Sequence, residues 1–316
     1  MEELNIIDIL PLVSGGLLIF LYAIRQLSVT LRDIFSSKVE NLIEKYTSNI
    51  FFSILLGVIV TILLGSSSAV IIITIIFINA GSLNFKQAMG IIMGANVGTT
   101  FSSQLIAFQI NKYGVIALAI GFFIWLFYKS SKLKTIGKVI MYFGLLFFGL
   151  YILETSLMPF KNSEQFFKWI SSINNPIKGA AIGGLITLII QSSSATVGIL
   201  IIMAKQELIN LSIAVSIMLG AELGTCSDTL VALVGGKRDA IRAGLFQILF
   251  NLIPIIIGLL VFEYFLDLVE MLAPKATISR QIANAHVLFS IFSVLLFLPF
   301  VNSMHRFINW MIPHKV

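Results

Sequence analysis

Two copies of one short polar cassette, each embedded in strongly apolar sequence, restrict this chain to a narrow set of folds. The first copy reads Thr61-Ile-Leu-Leu-Gly65-Ser66-Ser67-Ser68-Ala69 and is followed by Gly94-Ala95-Asn96-Val97-Gly98-Thr99-Thr100. The second reads Thr187-Leu-Ile-Ile-Gln191-Ser192-Ser193-Ser194-Ala195 and is followed by Gly220-Ala221-Glu222-Leu223-Gly224-Thr225-Cys226. Adding 126 to the residue number carries Thr61 onto Thr187, each serine onto its counterpart, and Gly94, Ala95, Gly98 and Thr99 onto theirs. Two separate motifs that keep one offset mark a duplicated structural unit. Polar, glycine-rich backbone inside apolar segments implies interrupted helices lining a protein-enclosed site within a membrane.

Composition agrees. Apolar residues make up 58% of the chain and charged residues 11%, with a mean hydropathy of +0.99, far from a soluble domain. Segments long enough to cross a bilayer recur throughout. Only 32–49, 159–178 and 263–280 have the length and polarity of surface or interfacial helices. Glu2, Glu3 and Asp8 replace the basic region of a cleaved leader, so 9–31 is expected to be a retained helix. A lone cysteine, Cys226, excludes a disulfide framework. The net charge of +6 fits topogenic lysines rather than nucleic-acid binding.

The expected fold is an all-α polytopic membrane protein with two inverted-topology repeats and one extra C-terminal helix. Each repeat would hold a leading helix, a re-entrant serine-rich hairpin, a broken helix and a further span. The first repeat covers 1–135, with elements at about 9–31, 50–79, 87–110 and 114–128. The second covers 136–262, with elements at about 139–158, 177–204, 211–234 and 240–262. Residues 263–316 add a loop, a helix at about 281–301 and a tail. Three crossings per repeat invert the second copy. Lys and Arg divide 13 against 7 between the two sides, with Arg25 inside the first helix. The positive-inside rule then puts the N-terminus outside and the C-terminus in the cytoplasm of the cell's inner (plasma) membrane.

Hydroxyls at the start of a half-helix suit an oxyanion, because serine donors add to backbone N–H groups and the positive end of the helix dipole. The candidate anion ligands are Ser66, Ser67, Ser68, Ser192, Ser193 and Ser194, with Gln191 able to donate and accept. Close helix packing is the competing explanation for a single serine run, and duplication argues against it. The glycine turns predict a second site, where freed carbonyls with Asn96, Thr99, Thr100, Glu222 and Thr225 hold a small cation such as Na⁺. Glu222 is a carboxylate placed within the membrane, which is costly and usually functional. Asp228 offers a second acid, or an acid satisfied near Lys237 and Arg238. His286 reads as a histidine satisfied by Ser or Asn neighbours, with a proton site as the alternative. Arg25 and Glu154, near the ends of equivalent helices, are expected to pair or to reach the interface.

The paired serine runs, each followed by a Gly-Ala-Asn-Val-Gly-Thr-Thr-like turn, resemble the sodium/phosphate cotransporter family, whose hallmark is a repeated Gln-Ser-Ser-Ser. Ala283-Asn-Ala-His286-Val-Leu-Phe289 resembles a further stretch of that family, with Ser290 where Asn is usual. The resemblance implies a secondary transporter, not an enzyme, that moves inorganic phosphate with Na⁺ by alternating access. It implies no cofactor besides the coupling ion and leaves a homodimer open. Gly65, where the family has glutamine, and Glu222, where it has asparagine, depart from the pattern. They keep open another small anion, proton coupling, or a channel. A more distant alternative is an intramembrane serine hydrolase; no nucleophile elbow or acid–histidine spacing supports it.

Overall fold

A computed structural model describes residues 6–46, 49–108, 113–232 and 236–313, and every regular element among them is helical. Helix starts follow the polar residues. Asn49 caps α2 (Ile50–Leu64) by accepting the Phe51 amide, and Asn175 caps α8 (Pro176–Ile190) through Ile177. Ser66 and Ser192 cap α3 (Ser67–Ala80) and α9 (Ser193–Lys205) through the Ala69 and Ala195 amides. Asn84 and Asn210 do the same for α4 (Phe85–Ala107) and α10 (Leu211–Gly224). Each such cap contributes about 1 kcal/mol to its helix. All three pairs are separated by the cassette offset, so the duplication is also one of helix boundaries.

The remaining elements keep the register. α1 (Ile6–Tyr46) is matched by α6 (Ser131–Leu157), and α5 (Gly114–Phe127) by α12 (Arg238–Leu260). α7 (Glu164–Ser171) precedes α8, and α11 (Cys226–Ala232) follows α10. α13 (Phe262–Leu272), α14 (Ile278–Phe297) and α15 (Val301–Met311) complete the chain's helices. Ile9–Phe35, Ser131–Asn162, Arg238–Leu260 and Ile278–Met311 are long and apolar enough to cross a membrane. A fifth span arises if α7 and α8, bent by 108°, count as one. α2, α3, α8 and α9 have 13 to 15 residues, about 20–22 Å at 1.5 Å per residue, against a hydrocarbon core of about 30 Å.

Three expectations change. The stretch after residue 32, expected as a separate surface helix, continues α1 to Tyr46. α5, expected as a span, has only 14 residues. α4 runs unbroken through the 94–100 turn, so the first copy's helix break is absent. The reason is packing: a Cβ on Gly94 would lie 1.9 Å from the Ile54 carbonyl oxygen, and one on Gly98 would lie 2.6 Å from Thr61 Cβ. The glycines let α4 press against α2 as small residues do in membrane helix pairs. The second copy repeats the device, since a Cβ on Gly220 would meet the Ala180 carbonyl oxygen at 1.7 Å. Only this copy breaks, at Thr225 between α10 and α11.

Candidate functional site

The apolar helix α2 ends at Gly65, which takes a left-handed conformation (φ 64°), and the extended Ser66 then opens α3. α8 ends at Gln191 in the same conformation (φ 58°), and the extended Ser192 opens α9. A glycine adopts this angle freely, whereas glutamine pays about 1–2 kcal/mol. Retaining a strained glutamine at a helix break points to its side chain being needed there.

Both breaks open into one cavity of about 640 Å³, lined by all six candidate serines together with Gly65, Gln191 and Thr225. The serines divide into two kinds. Ser66 and Ser192 are occupied as caps, their Oγ atoms 3.2 Å from the Ala69 and Ala195 amides. Ser67 and Ser193 are the first residues of α3 and α9, and their hydroxyls make no hydrogen bond to another described residue. Two helix N-termini, each with the positive end of its dipole, therefore meet a common space with unengaged hydroxyls. The third wall is α1. Tyr22, Arg25, Ser28 and Arg32 line the cavity, and Ser28 Oγ donates to the Gly65 carbonyl at 3.3 Å. Among the described residues, two arginines and no carboxylate line the cavity. Such a lining is chemically suited to an anion.

Arg25 and Arg32 were not singled out as anion ligands from the sequence. The available signal was their seven-residue spacing, two helical turns on one face with Ser28 between, and an arginine inside an apolar span. The expected Arg25–Glu154 pairing does not occur, because Glu154 Oε1 bonds Lys205 Nζ at 2.7 Å.

The candidate cation ligands are less unified. Asn96 Nδ2 donates to the Ile92 carbonyl, Thr99 Oγ1 to Ala95 and Thr100 Oγ1 to Val97. These side chains are satisfied by their own unbroken helix. Thr225 lines the anion cavity and donates to the Glu222 carbonyl at 2.8 Å. Glu222 is 3% exposed, and its Oε1 lies 3.0 Å from His286 Nε2. His286 Nδ1 in turn lies 2.8 Å from Ser103 Oγ. Asn251 Nδ2 donates to the Glu222 carbonyl at 3.0 Å. The side chain of Asp228 lies outside the described residues.

The Ser103–His286–Glu222 chain has the connectivity of a hydrolase triad, a pairing that sequence spacing did not reveal. Ser103 and His286 are both 0% exposed, and none of the three lines the cavity. Its chemistry is to join α4, α14 and α10 through buried polar groups.

An anion cavity between two duplicated helix breaks, within a bundle of membrane-length helices, defines a membrane transport protein of the repeat-built kind. A model of the Na⁺/Pi-cotransporter family matches the chain twice, over residues 19–155 and 160–298. The chain belongs to the Na⁺/Pi-cotransporter family, a family of phosphate transporters rather than enzymes. It is 31% identical over 302 residues to the uncharacterized protein YqeW of Bacillus subtilis, covering 95% of this chain and 97% of that one. It is 24% identical over 277 residues to YjbB of Escherichia coli K12, provisionally named an inorganic phosphate export protein. There it covers 87% of this chain but half of the relative's length. Over 116 residues it is 37% identical to the human sodium-dependent phosphate transport protein 2B, covering 34% of this chain and 17% of that one. No solved structure matches.

Proposed function

We propose that the protein is a secondary transporter that moves inorganic phosphate together with Na⁺ by alternating access. Phosphate is held where α3 and α9 begin. The observation that carries this reading is the meeting of two serine-bearing helix N-termini in one cavity whose described lining residues include two arginines and no acid. Ser67 and Ser193 donate their free hydroxyls, Ser68 and Ser194 complete the runs, Gln191 adds an amide, and Ser66 and Ser192 hold the helix starts in place.

The coupling cation is placed beside the α10–α11 break, with the Thr225 hydroxyl on its cavity side and Glu222 one turn earlier. Asn96, Thr99 and Thr100 donate within their own helix and would join such a site through their oxygen lone pairs. The repeats are taken as inverted and the two hairpins as re-entrant, which the short lengths of α2, α3, α8 and α9 favour. In the proposed orientation, N-terminus outside and C-terminus in the cytoplasm of the plasma membrane, the Arg32 end of α1 faces the cytoplasm. The described cavity is then the inward-facing state. Import is the direction implied by Na⁺ coupling; the naming of the YjbB relative favours export as a second reading.

Uptake and efflux of radiolabelled phosphate in proteoliposomes, under imposed Na⁺ or H⁺ gradients of either sign, test both. Phosphate movement that follows the Na⁺ gradient is expected. Movement driven by protons alone reassigns the coupling ion. Absence of movement under every gradient, with folded protein, refutes phosphate transport.

A further inference from the structure

We infer that Arg25 is a direct anion ligand of the serine cavity and that Arg32 is its counterpart about two helical turns away along the same cavity wall. The inference deepens the proposed phosphate site and rests on that reading.

Arg25 stands three residues past the midpoint of the Ile9–Phe35 span. A guanidinium at that depth is costly unless an anion, a carboxylate or water receives it. Among the described residues no carboxylate pairs with Arg25 or Arg32, and none lines the cavity they face. Among the described residues other deep charges are answered: Glu154 by Lys205, Glu222 by His286, Arg242 by Asp239 and the Ile312 carbonyl. The two α1 arginines are left for a ligand.

Geometry gives them an order. The cavity follows α1 from Leu18 to Arg32, about 21 Å at 1.5 Å per residue. Arg32 lies near the end of the span and Arg25 about 10 Å deeper on the same face. An anion entering from that end meets Arg32 first and reaches Arg25 where the serines converge. The planar guanidinium fork binds two oxygens of a tetrahedral anion at once, which a lysine cannot reproduce. Two guanidiniums add to two helix dipole ends, each worth about half a positive charge, and among the described lining residues no carboxylate offsets them.

The test is phosphate transport by reconstituted Arg25→Met, Arg25→Lys and Arg32→Gln variants beside the wild type. KM and Vmax are measured between pH 6 and 8, where phosphate changes from mostly monoanion to mostly dianion, and at low and high ionic strength. Arg25→Met is expected to raise the phosphate KM at least tenfold with its thermal unfolding midpoint near wild type. Arg25→Lys, which keeps the charge without the fork, should fall between the two. Arg32→Gln should raise KM less and flatten its dependence on ionic strength. If Arg25→Met is misfolded, phosphate protection of Arg25 from phenylglyoxal in the wild-type protein, read by mass spectrometry, gives the answer without a variant. Wild-type KM in Arg25→Met, or equal modification with and without phosphate, overturns the inference while leaving the serine site standing. A wild-type protein that moves no phosphate overturns the function itself.

Discussion

Ser67 and Ser193 provide the sharpest test of the anion site, because the structure separates them from the serines beside them. Both are first residues of helices, both line the cavity, and neither hydroxyl is engaged by a described residue. A hydrogen bond to a charged partner contributes about 1.5–3 kcal/mol, and 1.4 kcal/mol is about tenfold in affinity. Ser67→Ala and Ser193→Ala should therefore each raise the phosphate KM by about 10- to 150-fold without lowering the thermal unfolding midpoint. Ser66→Ala and Ser192→Ala should do the reverse in emphasis. They remove caps whose Oγ atoms accept at 3.2 Å, costing about 1 kcal/mol of helix stability. The assay is initial-rate phosphate uptake in proteoliposomes, paired with thermal unfolding in detergent for all four variants. Wild-type KM in both Ser67→Ala and Ser193→Ala, with folded protein, refutes the argument that these helix starts hold the anion.

The other predictions follow from contacts elsewhere. Gly220→Ala places a methyl 1.7 Å from the Ala180 carbonyl oxygen and should destabilise by about 1–3 kcal/mol. Gly15→Ala, with nothing within 4 Å, should be neutral or stabilising in the same thermal-shift measurement. Gln191→Gly relieves a left-handed glutamine (φ 58°) and removes its amide from the cavity. The unfolding midpoint should hold or rise while phosphate uptake falls. Glu222→Gln should change the cation dependence of transport, measured as uptake against Na⁺ concentration. An unchanged Na⁺ response would leave Glu222 only as a tether for His286.

Much of the fold was legible because the residues that write it are local. The caps Asn49, Ser66, Asn84 and their partners Asn175, Ser192 and Asn210 are short-range signals, and they place the helix starts. The meeting of the six serines at one cavity was foreshadowed by the same local signals. Misreadings came where one residue type serves two ends. Glycine at 94 and 98 permits a bend or a close approach, and only the position of α2 decides for the approach. That Asn96 and Thr99 donate within an unbroken helix was not visible in their residue types. That Arg25 lines the cavity was hidden because a span's depth and its cavity-facing side are properties of the assembled bundle. The Ser103–His286–Glu222 chain joins residues 183 and 64 positions apart, beyond the reach of any spacing rule.

The two copies of the cassette have kept the caps, the serine runs and the Gly94/Gly220 and Gly98/Gly224 contacts, and they differ at polar positions around them. Divergent pairs include Gly65 and Gln191, Val70 and Thr196, Asn96 and Glu222, and Thr100 and Cys226. One consequence is visible in the threonine that precedes each break. Thr187 Oγ1 bonds Thr196 Oγ1 at 2.7 Å, whereas in the first copy Val70 stands at the position of Thr196 and Thr61 Oγ1 is buried without a hydrogen-bond partner among the described residues. A buried hydroxyl left unpaired costs about 1–3 kcal/mol. The first break is thus unstrained in its backbone but unsatisfied beside it, and the second is strained in its backbone but braced by a side-chain bond. Of these divergent pairs only Gly65 and Gln191 line the cavity, so the strained and braced half is also the half that carries the extra amide.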